Sequence, residues 1–433
     1  MNGSYKEPFI EGNYMSTKCS HCSLTRRDAL RLGLYGLGIT AGLPAFFQTA
    51  ASALAAAAED GRKAREAERI LVVVELSGGN DGVNTIVPYG DDAYYRHRPT
   101  IGIPAKTVRK IDEHFGFHPS MAGFEKLYKD GKLAIVHGCG YEKPSLSHFM
   151  SMGFWHTGLP NAGEKLGWMG RLADGMDPEG QRNYIVNIAT AQSPAVRSRN
   201  HSPLVFYDPA TFTRNGVYQQ KAVFDHFSQA RTTGNPSLDF LTNIAENATE
   251  SASFVRQAWS DYKTPVDYGA NAAGLGLDMR KVAALINAKM PTRLYYVTYA
   301  GNVFDTHVHQ PDLHSRLLTY TTDALRAFVD DMQRIGRGSD VAVMVFTEFG
   351  RRVPENTSKG TDHGTATPMF VLGGPVKGGL YAKPLSLTEL DDGNLLYTTD
   401  FRRVYATAIK QWLGYNDAAT LLKGEFETFP LFV

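Results

Sequence analysis

Five short segments hold the residues whose types and spacing could do chemistry. Phe304-Asp305-Thr306-His307-Val308-His309 alternates a carboxylate and two imidazoles. In extended chain Asp305, His307 and His309 point to one face, the pattern of a metal site with mixed oxygen and nitrogen ligands. Thr361-Asp362-His363-Gly364 places another acid–imidazole pair, read as a loop or as ligands. Ser77-Gly78-Gly79-Asn80-Asp81-Gly82 presents Asp81 among glycines that permit a sharp turn, as a turn residue or as a ligand. Glu348, ahead of Phe349-Gly350-Arg351-Arg352, is a further acid that serves a cation or pairs with Arg351. In Lys143-Pro144-Ser145-Leu146-Ser147-His148 the hydroxyls stand where a helix begins. Ser145 or Ser147 there is an N-cap, or a nucleophile toward an anionic ester held at the helix N-terminus. Arg351 or Arg352 offers bidentate donors to the remaining ester oxygens. His118, His137, His156 and His314 read as structural.

These segments follow apolar runs. Ile70–Leu76, Leu133–Cys139, Tyr184–Ile188, Leu294–Tyr299, Val341–Thr347 and Met369–Leu372 are expected strands. Between them, helical patterning covers 121–130, 147–156, 218–232, 237–261, 277–288, 313–335 and 400–413. Continuous aliphatic strands alternating with amphipathic helices predict an α/β fold with a mostly parallel central sheet and helices on both faces. In such folds chemistry gathers beyond the C-terminal ends of the strands. Thr190–Asn215 is weakly patterned and expected to be an insertion loop near the site.

The N-terminus has a different composition. Thr25-Arg26-Arg27-Asp28-Ala29-Leu30, an apolar stretch over 32–47 and Ala53-Leu54-Ala55 predict a twin-arginine signal peptide over 1–55, followed by a charged spacer over 56–69. The 378 residues after Ala55 suffice for one large α/β domain, expected over 70–433. Without the leader the net charge falls from +1 to about −1, which argues against a nucleic-acid partner. No second run of 18 apolar residues occurs, so the mature chain is expected to lack a membrane span. Cys19 and Cys22 would leave with the leader, and Cys139 alone makes no disulfide framework.

Taken together, Asn80-Asp81-Gly82, Lys-Pro-Ser-Leu-Ser-His-Phe, Phe-Asp-Thr-His, Thr-Glu-Phe-Gly-Arg-Arg and Thr-Asp-His-Gly-Thr-Ala resemble the bacterial family catalogued as domain of unknown function 1501, from about Arg26 to the C-terminus. That family is itself similar to the alkaline phosphatase/sulfatase superfamily. The resemblance implies an alkaline phosphatase-like three-layer sandwich and one or two metal ions. It implies Asp81 as a metal-bridging aspartate, Asp305 and His307 as ligands of one ion, His363 as a late ligand and Ser145 at the nucleophile position, with Ser147 as its rival. Glu348 falls where the superfamily usually carries Asp-His. Phe349 then replaces one imidazole, which points to a single ion or a weak second site. No Cys-x-Pro-Ser-Arg occurs and Glu142 precedes Lys143, so a formylglycine route is unavailable.

The expected activity is metal-dependent hydrolysis of a phosphate, sulfate or related anionic ester, small or polymeric, outside the cytoplasm. A divalent ion would be held by Asp305, His307 and His363 and completed by Asp81 and Glu348; zinc is favoured, with manganese, magnesium or calcium as alternatives. Ser145, Ser147 and Arg351 are the expected catalytic groups. The expected partners are the ester and the twin-arginine export machinery, and the expected location is the periplasm or the medium. The alternative is a non-catalytic metal-binding, cell-surface or carbohydrate-binding protein on a degenerate hydrolase scaffold.

Overall fold

Aliphatic side chains broken only by Glu75 form the strand β1 (Ile70–Leu76), which lies at the middle of the main sheet. The other strands are β2 (Leu133–Gly140), β3 (Ile185–Ile188), β4 (Leu204–Phe206), β5 (Leu294–Tyr299), β6 (Val341–Phe346), β7 (Thr367–Leu372), β8 (Gly379–Tyr381) and β9 (Thr399–Asp400). Their order is β8-β2-β7-β6-β1-β5-β3-β4, with β9 against β2. The computed structural model describes residues 68–212, 235–269 and 274–433, all in the unit Ala64–Val433. The leader expected over 1–55 with Cys19 and Cys22, nearly all of the spacer and the helix expected over 218–232 lie outside the described residues.

β1 is parallel to both neighbours, Val73 facing Tyr296 of β5 on one side and Met344 of β6 on the other. The sheet is parallel throughout except for β7, which runs antiparallel to β6 and β2. The reason lies in the connection. A parallel neighbour requires a crossover, usually helical, whereas Thr347–Ala366 between β6 and β7 contains no helix and returns the chain beside the strand it left. Consequently β7 starts at the edge where β1, β2, β5 and β6 end. Residues just before β7 therefore meet residues just after the other four.

Side chains alternate across β1. Val72 and Val74 pack on one side with Phe124 of α1 (Ala122–Lys129), Val282 of α5 (Leu275–Asn287) and Phe328 of α6 (Gln310–Arg334). Leu71 and Val73 pack on the other with Trp155 of α2 (His148–Thr157), Leu172 of α3 (Trp168–Met176) and Val404 of α7 (Arg402–Thr407). A further helix, α4 (Pro236–Asp261), precedes α5. Helices thus cover both faces, as the aliphatic strand pattern predicts. Among the described residues no helix is long and apolar enough to cross a membrane.

The six expected strands and the helices expected within the described residues form with boundary shifts of a few residues; the last pattern divides into α7 and a π turn over Ala408–Trp412. Not anticipated, among others, were α3 and the short strands β4, β8 and β9. Three residues or fewer carry almost no periodicity, so only pairing with a formed neighbour defines such strands. The weakly patterned segment after Thr190 accordingly holds a 3-10 turn, Pro194–Val196, and β4; residues 213–215 lie outside the described part.

The α2 helix presents the first residues of the site, so its anchoring matters. Trp155 stacks on Phe346, at 5.3 Å between centroids, and on Phe401, at 4.1 Å. Truncating so large a buried ring to Ala costs about 3–5 kcal/mol. Ser147 caps the start of α2, and Gly158 ends it at φ 65°, a conformation that favours glycine.

Burial also creates a pH liability. Desolvation pushes the pKa values of His118 and His137 down to about 4, and His137 Nε2 has no hydrogen-bond partner. Both rings stay neutral in the fold, while the unfolded chain takes up protons below about pH 6.5. Stability is therefore lost as pH falls from 6.5 toward 4. Urea unfolding at pH 7 and pH 4.5 is expected to show a difference smaller by about 2 kcal/mol in His137→Phe than in the unsubstituted protein. Equal differences would contradict a buried neutral His137.

Candidate functional site

The loops after β1, β2, β5 and β6 and the loop before β7 converge at one sheet edge. Gly78 and Gly79 make the approach possible. Gly78 has φ +120°, and a Cβ there would lie 2.6 Å from the Asp305 backbone nitrogen; at Gly79 one would lie 2.4 Å from the Phe349 ring. Only glycine lets the β1 loop seat against the two segments that carry Asp305 and Glu348.

At the centre is Asp305. Its Oδ1 lies 3.0 Å from His307 Nε2 and 3.1 Å from His363 Nε2, and those two nitrogens are 2.9 Å apart. Its Oδ2 lies 3.4 Å from His148 Nε2. The outer nitrogen of each ring faces an acceptor: Glu348 Oε1 at 2.8 Å from His148 Nδ1, the Leu146 carbonyl at 2.8 Å from His363 Nδ1, and Asp362 Oδ1 at 3.3 Å from His307 Nδ1. In the neutral rings these acceptors place the proton on Nδ1. The three Nε2 lone pairs are then directed at one carboxylate; Arg351 Nη1 lies 3.4 Å from that of His307, and those of His148 and His363 call for a proton or a cation. Acceptors behind imidazole ligands are how metal sites orient their histidines. Donors sharing one ion at about 2.1 Å stand about 3.0–3.4 Å apart, the spacing seen around Asp305 Oδ1. His148, Asp305 and His363 offer ligand atoms all within 4.8 Å of one another. The residues present fit a divalent cation.

The electrostatics agree. Burial alone would raise the Asp305 pKa, but the hydrogen bond and charge of Arg351, with help from His363 and His307, hold it below the ordinary value. Hydrogen bonding to Glu348 raises the His148 pKa. A proton and a cation compete for His148 Nε2, so cation binding weakens as pH falls.

Several expected residues take other roles. Asp81 is fully buried away from these donors. Its Oδ2 accepts from Arg98, at 2.6 Å, and Gln310, also at 2.6 Å, while its Oδ1 caps the helical turn at Asn84 N. Burial pushes its pKa up, but Arg98, with His314 and Gln310, brings it below the ordinary value. Its oxygens are thus engaged by protein donors, and Gln310 Oε1 in turn accepts from Thr306, next to His307, and from Thr361, two residues before His363. Glu348 likewise stands behind the cluster; it accepts from Gly78 N and Thr347 Oγ1 and faces His148 Nδ1.

Arg351 is 0% exposed, and it donates to the carbonyls of Gly78, Gly79, Phe304 and Thr361 and to Asp305. These contacts engage its donors within the protein, and its Nη1 also lies 3.4 Å from His307 Nε2. His309 leaves the expected face because its backbone turns to φ 46° at the start of α6. Ser147 Oγ accepts from Met150 N, and Ser145 Oγ accepts from Ser147 N, so both hydroxyls have local roles. They flank Leu146, whose carbonyl holds His363. The Phe349 ring lies 4.9 Å from that of His148 and 4.8 Å from that of His363, packing behind both.

His148 is the candidate ligand not singled out from sequence. It stands in a marked motif, but at the first position of a helix and without a spaced partner. Glu348 as its orienting acceptor, and the Leu146 carbonyl, had no signal at all.

A family model described as "Protein of unknown function (DUF1501)" matches residues 68–383, which include every residue of the cluster. No curated protein matches the chain. Among solved structures, similarity extends to the phosphonate monoester hydrolase SpPMH from Silicibacter pomeroyi, with 10% identity, 82% of this chain and 77% of that chain covered and a TM-score of 0.37. The PsFucS1 sulfatase from Pseudoalteromonas sp. gives 12% identity, 86% and 72% coverage and a TM-score of 0.35. For the lipoteichoic acid synthase LtaP from Listeria monocytogenes the values are 10%, 70% and 65%, and 0.33, so the chain spans less than two thirds of LtaP's length. Overlap this coarse equates no residue of this chain with a residue of theirs.

Elemental analysis and zinc titration of the purified protein check the cluster. One ion per chain is expected, with affinity lower by at least about 100-fold in His363→Ala or Asp305→Ala and by about 10–100-fold in Glu348→Gln. Asp81→Asn is expected to retain the ion if it folds.

Proposed function

The chain belongs to the DUF1501 family, and we propose that it is a metal-dependent hydrolase of phosphate, sulfate or related anionic esters, exported by the twin-arginine route. The observation that carries the reading is the convergence of three oriented imidazole lone pairs on Asp305, at the C-terminal edge of a mostly parallel sheet. Asp305, His148, His307 and His363 hold one divalent cation. A nitrogen-rich donor set with one carboxylate favours zinc over magnesium or calcium, with manganese next. When bound, the cation supplies Lewis acidity to the ester's non-bridging oxygens and offsets the charge that builds on them.

The remaining work belongs to side chains. Glu348, the Leu146 carbonyl and Asp362 keep each Nδ1 protonated and each Nε2 available. Arg351 keeps Asp305 ionised and fixed. Ser145 and Ser147 stand beside the Leu146 carbonyl, each with a hydroxyl proton to give, and Ser145 is the proposed nucleophile with Ser147 as the other candidate. Their present hydrogen bonds, local to the turn and the cap, favour the second reading, a cation-binding protein without turnover.

Turnover of aryl phosphates and aryl sulfates by the zinc-loaded protein separates the two. The hydrolase reading expects turnover to fall at least about 1,000-fold in Asp305→Ala, and in Ser145→Ala or Ser147→Ala according to which hydroxyl attacks. Equal trace rates in all forms would leave the non-catalytic reading. Export is checked by cell fractionation: replacing Arg26 and Arg27 by Lys is expected to retain the unprocessed chain in the cytoplasm.

A further inference from the structure

Beside the cluster, a cavity of about 720 Å³ begins at His148 and Glu348 and extends along α2. That volume is typical of small-molecule sites. The wall is mostly apolar, built chiefly from Phe149, Met150, Met152, Phe154 and Leu159, with Glu164, Lys165 and Arg197 also lining it. Phe149 is 86% exposed and Met150 48%, large apolar side chains left to solvent at the mouth next to candidate ligands. Asn302 and Ser77, which hydrogen-bond each other, close the end near Glu348.

Gly153 is the more telling residue. It occupies the middle of α2, where glycine costs about 1 kcal/mol relative to alanine. Its backbone does not require glycine, since it is absent from the positive-φ positions, and a Cβ built on it meets nothing within 4 Å. Packing against the rest of the protein therefore does not exclude a side chain. Any side chain at 153 would instead occupy the cavity that Gly153 lines.

Resting on the functional reading above, we propose that this cavity receives the apolar alcohol portion, aryl or alkyl, of an anionic monoester whose charged group sits at the histidine–carboxylate cluster, and that Gly153 keeps it open. The anionic group and the apolar group are then recognised by adjoining but different surfaces. Apolar contacts in such a wall strengthen binding by about fourfold for each methylene they remove from water.

Non-hydrolysable phosphonates read this without turnover. Calorimetric titration of the zinc-loaded protein with methylphosphonate, octylphosphonate and phenylphosphonate is expected to show the octyl compound binding at least about 30-fold more tightly than methyl, with phenyl between them. In Gly153→Leu the octyl-to-methyl ratio is expected to fall below about threefold, while zinc content stays at one ion and the melting temperature does not fall. Gly153→Gln, also a good helix former, provides a second block should the leucine variant misfold. A bound ion with measurable methylphosphonate binding but no octyl preference overturns the pocket and leaves the cluster standing. An octyl preference that survives in folded Gly153→Leu and Gly153→Gln does the same. Absence of a bound ion together with equal, weak binding of all three phosphonates overturns the functional reading, and the pocket with it.

Discussion

The Arg351–Asp305 pair holds the sheet edge together. A guanidinium with no solvent contact is tolerable only if its donors are satisfied, and here they are satisfied by peptide carbonyls from three loops and one carboxylate. The same contacts that neutralise the buried charge tie Gly78 and Gly79 after β1, Phe304 after β5 and Thr361 before β7 into one body. Asp305 is fixed as a consequence, with its oxygens turned toward three imidazoles. A carboxylate free to rotate would give no defined point for those nitrogens to meet.

A second buried ion pair, Arg98–Asp81, works one layer deeper. Both side chains are fully buried, and Asp81 also takes a hydrogen bond from Gln310. Gln310 in turn accepts from the hydroxyls of Thr306 and Thr361, so the pair is tied to the segments that carry His307 and His363. A protein cation thus already compensates the aspartate that the family resemblance would assign to a metal. The candidate site is accordingly a single cluster centred on Asp305, with acids and carbonyls behind each ring. Phe349 covers the back of two of those rings, where bulk water would otherwise compete for their nitrogens.

Strand direction decides which residues can share that cluster. Because β7 runs against its neighbours, the loop that precedes it lies at the edge where β5 and β6 end. His363 reaches Asp305 for that reason, although the two are separated by α6 and β6. Had β7 been parallel, His363 would have fallen at the opposite edge of the sheet.

Much of this was legible in the residues alone. Strand and helix periodicity identified six strands and the covering helices because burial on both faces demands long aliphatic runs. Asp305, His307 and His363 were marked as candidates by residue type and spacing, and the fold brings them within 3.1 Å of one another. Residue types, however, do not say which partner a side chain finds. Asp81 and Glu348 read alike as candidate ligands, yet the first pairs with Arg98 and the second accepts from His148. Arg351 looked like a substrate clamp and is saturated by carbonyls. His148, at a helix start with no spaced partner, became visible as a candidate only when α2 packed through Trp155 and delivered it to the cluster. Local sequence determined the elements and the chemical inventory. Tertiary structure alone decided which acids are neutralised by cations and which stay open, because that choice depends on contacts between residues as far apart as Gly78 and Glu348.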